Sequence, residues 1–166
     1  MAATVPFGLS ELQSAWERVA WNAGCAGADG VTVEAFSGRV PSALQGLLDQ
    51  IRDGRYKPMP LLKIIAERFP GAEKQRTFLV PAVGDRVLQT VAARRLSRSF
   101  EEEFLDASFA YRPGRGVHAA IARVRQWHDR GFSFVLQADI QVFFDNVQHD
   151  RLLALLAAEP AALERI

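Results

Sequence analysis

Cysteine and lysine are scarce in this chain of 166 residues. Cys25 is the single cysteine, which excludes an internal disulfide and argues against a cysteine-based zinc site. Lysine occurs only at positions 57, 63 and 74, so arginine supplies most of the positive charge. Arginine is the better bidentate partner for phosphate, but a GC-rich coding sequence would explain the same bias.

Long apolar runs are absent as well. No stretch of about 18 apolar residues would span a membrane, and the start MAATVPFGLS lacks the basic and apolar regions of a signal peptide. The formal charge is +1, and 49% of the residues are hydrophobic, as in ordinary globular proteins. The composition therefore predicts a cytoplasmic protein without a membrane partner, while the charge alone indicates no particular ligand.

The first half of the chain shows apolar residues at helical spacing. Ser10 with Gln13 is typical of a capping box at the start of a first helix. Thr32 suits the cap of a short helical turn, and Pro41 the first turn of a further helix. Gly54 stands where a glycine commonly ends such a helix.

The second half predicts three more helices. A long one starts at Gly84 and reaches about Phe104, and Asp85 would cap its start or pair with an arginine. Another runs from Val117 to Gly131, and Asp145 with Gln148 would cap the last one.

Strand patterns occur at three places. The apolar runs at 61–66 and 77–81 predict a β-hairpin with a long, charged tip. The segment FSFVL at 132–136 predicts a buried strand, because it is rich in β-branched and aromatic residues. The sequence therefore predicts an α+β fold, with helices packed on a small antiparallel sheet. Asp139 follows the third strand, where a buried carboxylate is costly unless a cation, metal or donor set compensates it.

Four sequence pieces occur in a fixed order: GADGVTVEAF followed by GRYKPMPL, then RTFLVPAVGDRVLQTVAARRL, SFAYRPGRGVHAAI and ADIQVFFDNVQHDRL. Together they resemble the N-terminal half of bacterial reverse transcriptases of the group II intron type, over about residues 27 to 152. The SxxYRPGRGxH and DIxxFFD pieces are the most specific. The resemblance implies the fingers and first part of the palm of a right-hand polymerase.

This resemblance also implies a division of the chain. Residues 1–26 would be an N-terminal helical extension, and residues 27–131 the fingers with the fingers–palm junction. Residues 132–166 would be the start of the palm.

Asp139 is the catalytic and metal-binding residue that the resemblance implies. With further carboxylates it would hold two Mg²⁺ ions, which activate the primer 3′ hydroxyl and stabilise the leaving pyrophosphate. In the absence of the resemblance, a cap on the next turn would be the simpler interpretation of Asp139. Asp145 is expected to cap a helix rather than bind metal.

Ile140 and Phe144 are nucleotide-binding residues by the same resemblance. The ring of Phe144 would lie under the sugar of the incoming nucleotide and exclude a 2′ hydroxyl, while Phe143 is expected to enter the core. Packing is the alternative role for both rings.

Arg76 would contact the triphosphate from the fingers, with Lys74 assisting. The family has an Ile-Pro-Lys segment in the preceding strand, whereas this chain has IIAERF. The second basic contact is therefore open between Lys63, Arg68 and Lys74, and a solvated hairpin tip is the alternative for all three.

The YRPGRG loop would lie beside the templating base and the incoming nucleotide. Gly114 permits close backbone approach, and Arg112 and Arg115 supply donors for phosphate or carboxylate. The alternative is an internally paired loop in which Arg112 locks fingers to palm.

The parent protein is thus expected to extend a DNA primer on an RNA template with dNTPs. The chain lacks the Tyr-x-Asp-Asp motif that completes such a site, because neither Tyr56 nor Tyr111 precedes an acidic pair. We expect a piece of a longer protein or the product of a truncated gene, inactive alone. The alternative function is a noncatalytic RNA-binding module. Self-association is expected, since the palm strand would lack neighbours.

Overall fold

The computed structural model describes residues 7–67 and 75–158. The chain divides into two compact units, of which the first extends to Arg94 and the second begins at Arg95. The predicted boundary between fingers and palm, after residue 131, falls inside the second unit. The assignment to fingers and palm stays a prediction.

The described residues form six helices and two strands. The elements are α1 (Leu9–Trp21), α2 (Val33–Ser37), α3 (Val40–Arg52), β1 (Leu62–Glu67), β2 (Gln75–Val80), α4 (Val83–Phe100), α5 (Val117–Asp129) and α6 (His149–Ala158). Two 3₁₀ turns lie at Glu101–Glu103 and Phe144–Asn146. The predicted α+β class with a small antiparallel sheet is confirmed. None of the described helices has the length and apolar character needed to cross a membrane.

The core of the first unit lies between α1, α2, α3 and the first half of α4. Its residues recur every three or four positions, so each helix buries one face. They are Leu12, Ala15, Trp16, Val19, Phe36, Val40, Leu44, Leu48, Val83, Val87 and Val91. The rings of Trp16 and Phe36 lie with their centroids 4.8 Å apart. Burial of each large apolar side chain contributes about 1.5 to 3 kcal/mol.

Three of the four predicted end signals of the early helices are confirmed, and one of them is Pro41, which lies in the first turn of α3. Thr32 caps α2, because its Oγ1 accepts a 3.0 Å hydrogen bond from the Ala35 amide. Gly54 follows α3 with a φ of +65°, which glycine adopts without strain. The capping box at Ser10 is wrong, because α1 begins at Leu9 and the Gly8 amide donates to Oε2 of Glu11.

The predicted hairpin is confirmed as an antiparallel pair. Its register runs from Leu62 opposite Val80 to Glu67 opposite Gln75. Residues opposite one another in such a pair share a face of the sheet. Arg76, opposite Ala66, therefore shares a face with Phe78.

The predicted buried strand at 132–136 is wrong. Residues 132–140 form neither helix nor strand, and Phe134 and Leu136 are 98% and 92% exposed. A strand is stable where its amide and carbonyl groups pair with a neighbour, and the described sheet contains only β1 and β2. Self-association through exposed apolar residues stays a prediction.

Candidate functional site

Asp139 lies at the surface of the second unit, in an open depression. Ala138, Ile140 and Phe143 line this depression with it, and its volume is about 410 Å³. The exposure of Asp139 removes the cost that a buried strand would have imposed on its charge. The carboxylate therefore needs no internal partner and is accessible to a ligand.

The backbone after Asp139 turns sharply at Val142. The φ of Val142 is +51°, a left-handed conformation that is strained for a β-branched residue. Asn146 closes the turn, since its Nδ2 donates to the Val142 carbonyl oxygen at 2.9 Å. Asn146 was not among the predicted site residues, although asparagine is a common turn residue.

The two phenylalanines of this segment both lie near the surface. Their ring centroids are 5.5 Å apart with an angle of 67° between the planes. Phe144 is 87% exposed and Phe143 is 52% exposed. The prediction that Phe143 enters the core is wrong, because the segment is a turn beside the depression rather than the end of a buried strand.

Asp145 does not cap a helix. It lies in the 3₁₀ turn Phe144–Asn146, whereas α6 begins at His149. The predicted cap is wrong, because the turn closed by Asn146 ends before the helix starts.

The donor set for magnesium is incomplete in the part of the chain that the structure describes. No group of three or more His, Cys, Asp or Glu side chains is placed there to hold a metal ion. Two divalent ions need several oxygen ligands between them, and Asp139 supplies one carboxylate. The described residues thus fit part of a two-metal site and not a whole one.

Arg76 is exposed on β2 of the first unit. The register places Lys63 opposite Leu79, on the other face of the hairpin from Arg76. Lys63 therefore shares no face of the hairpin with Arg76, and the choice among the three candidates for the second contact stays a prediction. Arg68 and Lys74 lie outside the described residues.

Arg112 is buried and fully engaged within the second unit. Its Nη2 donates to Oε1 of Glu101 at 2.8 Å, and its Nη1 donates to the carbonyl oxygens of Leu105 and Ser108, both at 2.8 Å. The hydrogen bond from Arg112 lowers the pKa of the Glu101 carboxyl, and the charge of Arg112 adds to this effect. Arg112 therefore pairs internally, as the alternative of an internally paired loop requires. All of its partners lie in the second unit, and a lock between fingers and palm stays a prediction.

Arg115 is the more accessible arginine of this loop. Its Nη1 donates to the carbonyl oxygen of Asp106 at 2.8 Å, and its Nη2 to Oδ1 of the same residue at 3.0 Å. Gly114 precedes it with a φ of +71°, and a Cβ added there would meet no atom within 4 Å. The backbone at Gly114 is thus open on the side where a Cβ would stand, and its contact with a ligand stays a prediction.

A buried polar cluster in the first unit was not predicted from the sequence. Asp85 is 5% exposed and accepts hydrogen bonds from the Tyr56 hydroxyl and the Met59 amide. The prediction that Asp85 caps α4 or pairs with an arginine is wrong, because its carboxylate faces the segment before β1. Next to it, Nη2 of Arg86 donates to the Cys25 carbonyl oxygen at 2.6 Å.

Comparison with known proteins gives three relatives of interest. Protein YkfC of Escherichia coli (strain K12) is 32% identical over 131 residues, which are 76% of this chain and 34% of that protein. Group II intron-encoded protein LtrA of Lactococcus lactis subsp. cremoris is 26% identical over 128 residues, 76% of this chain and 21% of LtrA. A 91 kDa protein in the cob intron of Schizosaccharomyces pombe (strain 972 / ATCC 24843) is 24% identical over 130 residues, 78% of this chain and 16% of that protein.

The chain spans about a third or less of the length of these relatives. No protein-family model matches it. Two of the three relatives are named as intron proteins, which agrees with the four ordered motifs. The chain is therefore a reverse-transcriptase-like homologue of group II intron-encoded proteins.

Proposed function

We propose that the chain forms the fingers and the opening part of the palm of an RNA-directed DNA polymerase. The observation that carries this proposal is the exposed carboxylate of Asp139, in a depression with Ile140 and Phe143 and followed by the exposed ring of Phe144. The homology to group II intron-encoded proteins supports it. The substrates would be an RNA template, a DNA primer and dNTPs.

The DIxxFFD segment and the turn that follows it supply three kinds of contact in this proposal. Asp139 would bind metal, and the strained turn at Val142, closed by Asn146, would hold the segment in shape. Ile140 and Phe144 would contact the incoming nucleotide. When bound, two Mg²⁺ ions would activate the primer hydroxyl and stabilise the leaving pyrophosphate. The remaining metal ligands would come from carboxylates other than those of the described residues.

The basic residues would bind the phosphates of the substrates. Arg76, exposed on the hairpin, would donate charge-assisted hydrogen bonds to the triphosphate, each contributing about 1.5 to 3 kcal/mol. Lys74 would assist it. Arg115 and the open backbone of Gly114 would contact the template, while Arg112 would keep their loop in shape.

Primer extension on an RNA template with Mg²⁺ tests the polymerase. The longest protein that the native gene encodes is compared with its Asp139→Asn variant and with Asp145→Asn as a matched control. We expect extension to be lost in Asp139→Asn, because the proposed metal ligand is removed, and kept in Asp145→Asn. The control is matched, since both substitutions change a carboxylate to an amide in the same exposed segment. Equal extension by both variants would reject the role of Asp139.

A noncatalytic RNA-binding module is the second candidate. The exposed Arg76 and the open backbone at Gly114 beside Arg115 favour it, because such groups bind RNA phosphates without a metal site. A soluble parent protein that binds RNA tightly but extends no primer would support this function. Its binding constant should then fall with salt, by about 0.7 in log K per unit of log salt for each phosphate contacted on a single strand.

A further inference from the structure

A second depression of the second unit lies along one face of α5. Its volume is about 320 Å³, and it shares no lining residue with the depression at Asp139. Ala119, Ala122, Arg123 and Gln126 line it at spacings of three and four residues, which place them on one helix face. Because two of these four side chains are methyl groups, the floor of the depression stays open.

The charges around this depression are mostly positive. Arg115 and Arg123 line it together with one carboxylate, that of Asp106. The hydrogen bond from Arg115 lowers the pKa of Asp106, and the charges of Arg115, Arg123 and Arg112 lower it further. Three guanidinium groups thus act on one carboxylate, and positive charge remains after the Asp106–Arg115 pair is counted.

Arg123 is the source of the excess charge. Its Nη1 donates to the neutral Oε1 of Gln126 at 3.3 Å, and no carboxylate of the described residues forms an ion pair with it. Its guanidinium carbon lies 5.8 Å from the ring centroid of Trp127, which is 43% exposed. Arg123 therefore combines an uncompensated charge with a nearby aromatic surface.

We infer that this depression binds a backbone phosphate of single-stranded RNA, between Arg115 and Arg123. Arg123 and Gln126 are the new contacts in this assignment, which rests on the proposed interaction of the chain with RNA. Cations beside an exposed aromatic ring bind single strands well, because phosphates meet the cations while bases stack on the ring. The ring of Trp127 favours a nucleic acid over an acidic peptide.

Asp106 competes with the phosphate for Arg115. Its side chain is 84% exposed while that of Arg115 is 28% exposed, so the carboxylate can turn into solvent when a phosphate takes its place. An exposed ion pair of this kind is weak and is screened by salt. The pair thus holds Arg115 in position without blocking the site.

Fluorescence anisotropy with a labelled short single-stranded RNA tests this site in the intact chain. Arg123→Gln should weaken binding and reduce the steepness of log K against log salt by about 0.7, the value for one phosphate contact. Arg125→Gln is the matched control, because Arg125 is exposed two residues further along α5 and so lies on another face. Asp106→Asn should bind RNA more tightly than the wild type.

Four results would overturn the assignment. They are equal effects of Arg123→Gln and Arg125→Gln, weaker binding by Asp106→Asn, an absence of RNA binding by the wild-type chain at low salt, and displacement of RNA by inorganic phosphate at constant ionic strength. The last result would assign the depression to a free anion. Binding that depends on Arg123, together with a parent protein that extends no primer, would reject the polymerase and retain this site.

Discussion

The hydroxyl of Tyr56 donates a 2.6 Å hydrogen bond to Oδ1 of Asp85, 29 residues further along the chain. The other carboxylate oxygen accepts from the Met59 amide at 2.9 Å. Asp85 is in the first turn of α4, and Tyr56 and Met59 lie in the segment that leads to β1. This buried carboxylate therefore connects the hairpin that carries Arg76 to the helical core of the first unit.

Tyr56→Phe should destabilise the first unit. The substitution leaves Oδ1 of a 5% exposed carboxylate without its donor, which costs about 1 to 3 kcal/mol. Urea unfolding followed by circular dichroism measures the loss. Tyr111→Phe is the matched control, because the Tyr111 side chain is fully exposed. Equal stability of the two variants would show that the Tyr56–Asp85 bond contributes nothing to folding.

The same bond predicts a loss of stability at alkaline pH. Burial raises the pKa of Tyr56, and its hydrogen bond with Asp85 and the charge of Asp85 raise it further. The stabilisation is complete below the unfolded-state pKa of about 10 and decreases as the pH rises above it, because only the unfolded state then releases the proton. We expect the difference in unfolding free energy between wild type and Tyr56→Phe to shrink above pH 10. A difference independent of pH up to the alkaline limit would contradict this linkage.

Gly27 is predicted to tolerate no side chain. A Cβ at this position would lie 2.6 Å from Cα of Ala82 and 2.9 Å from the carbonyl carbon of Pro81, and both atoms belong to the backbone. Gly27→Ala should therefore destabilise the chain by about 1 to 3 kcal/mol.

The control for this substitution is Gly46→Ala. Gly46 lies within α3, and a Cβ added there would meet no atom within 4 Å, so alanine should stabilise the helix by about 0.5 to 1 kcal/mol. Thermal or urea unfolding compares the two variants. Shifts of the same sign would contradict the close approach at Gly27.

Arg112→Gln should destabilise the second unit much more than Arg115→Gln. The first substitution removes a charged donor from the Leu105 and Ser108 carbonyls, at a cost of about 1 to 3 kcal/mol. The second breaks a pair whose carboxylate, on Asp106, is 84% exposed and which contributes little. Hydrogen exchange of the amides between residues 105 and 116 locates the effect. Equal protection in the two variants would show that Arg112 does not hold the loop.

The sequence predicted those elements that local patterns determine. Thr32 and Gly54 act at the ends of helices, and such ends depend on residues only a few positions away. The local sequence is therefore enough to identify them. The hairpin followed from two apolar runs of similar length. In these places the local preference and the final fold agree.

Two of the errors arose where contacts distant in sequence decide the structure. Asp85 suited a helix cap locally, but its partners are Tyr56 and Met59. Residues 132–136 have strand composition, but the described sheet offers this segment no neighbour. Composition reports a preference for the extended state, and pairing with another strand decides whether that state forms.

Phe144→Ala should reduce discrimination between dNTPs and rNTPs in the parent polymerase. The proposed mechanism is steric, because the 87% exposed ring would lie under the nucleotide sugar and contact a 2′ hydroxyl. Loss of one such contact changes the ratio of kcat/KM values by about 10- to 100-fold. Single-nucleotide incorporation with each substrate measures this ratio. Phe143→Ala is the control and should leave the ratio unchanged. It removes a neighbouring ring, whose centroid lies 5.5 Å from that of Phe144 and which lines the depression at Asp139. An unchanged ratio in Phe144→Ala would remove the proposed role in sugar selection while leaving the role of Asp139 intact, because the two side chains act on different parts of the substrate.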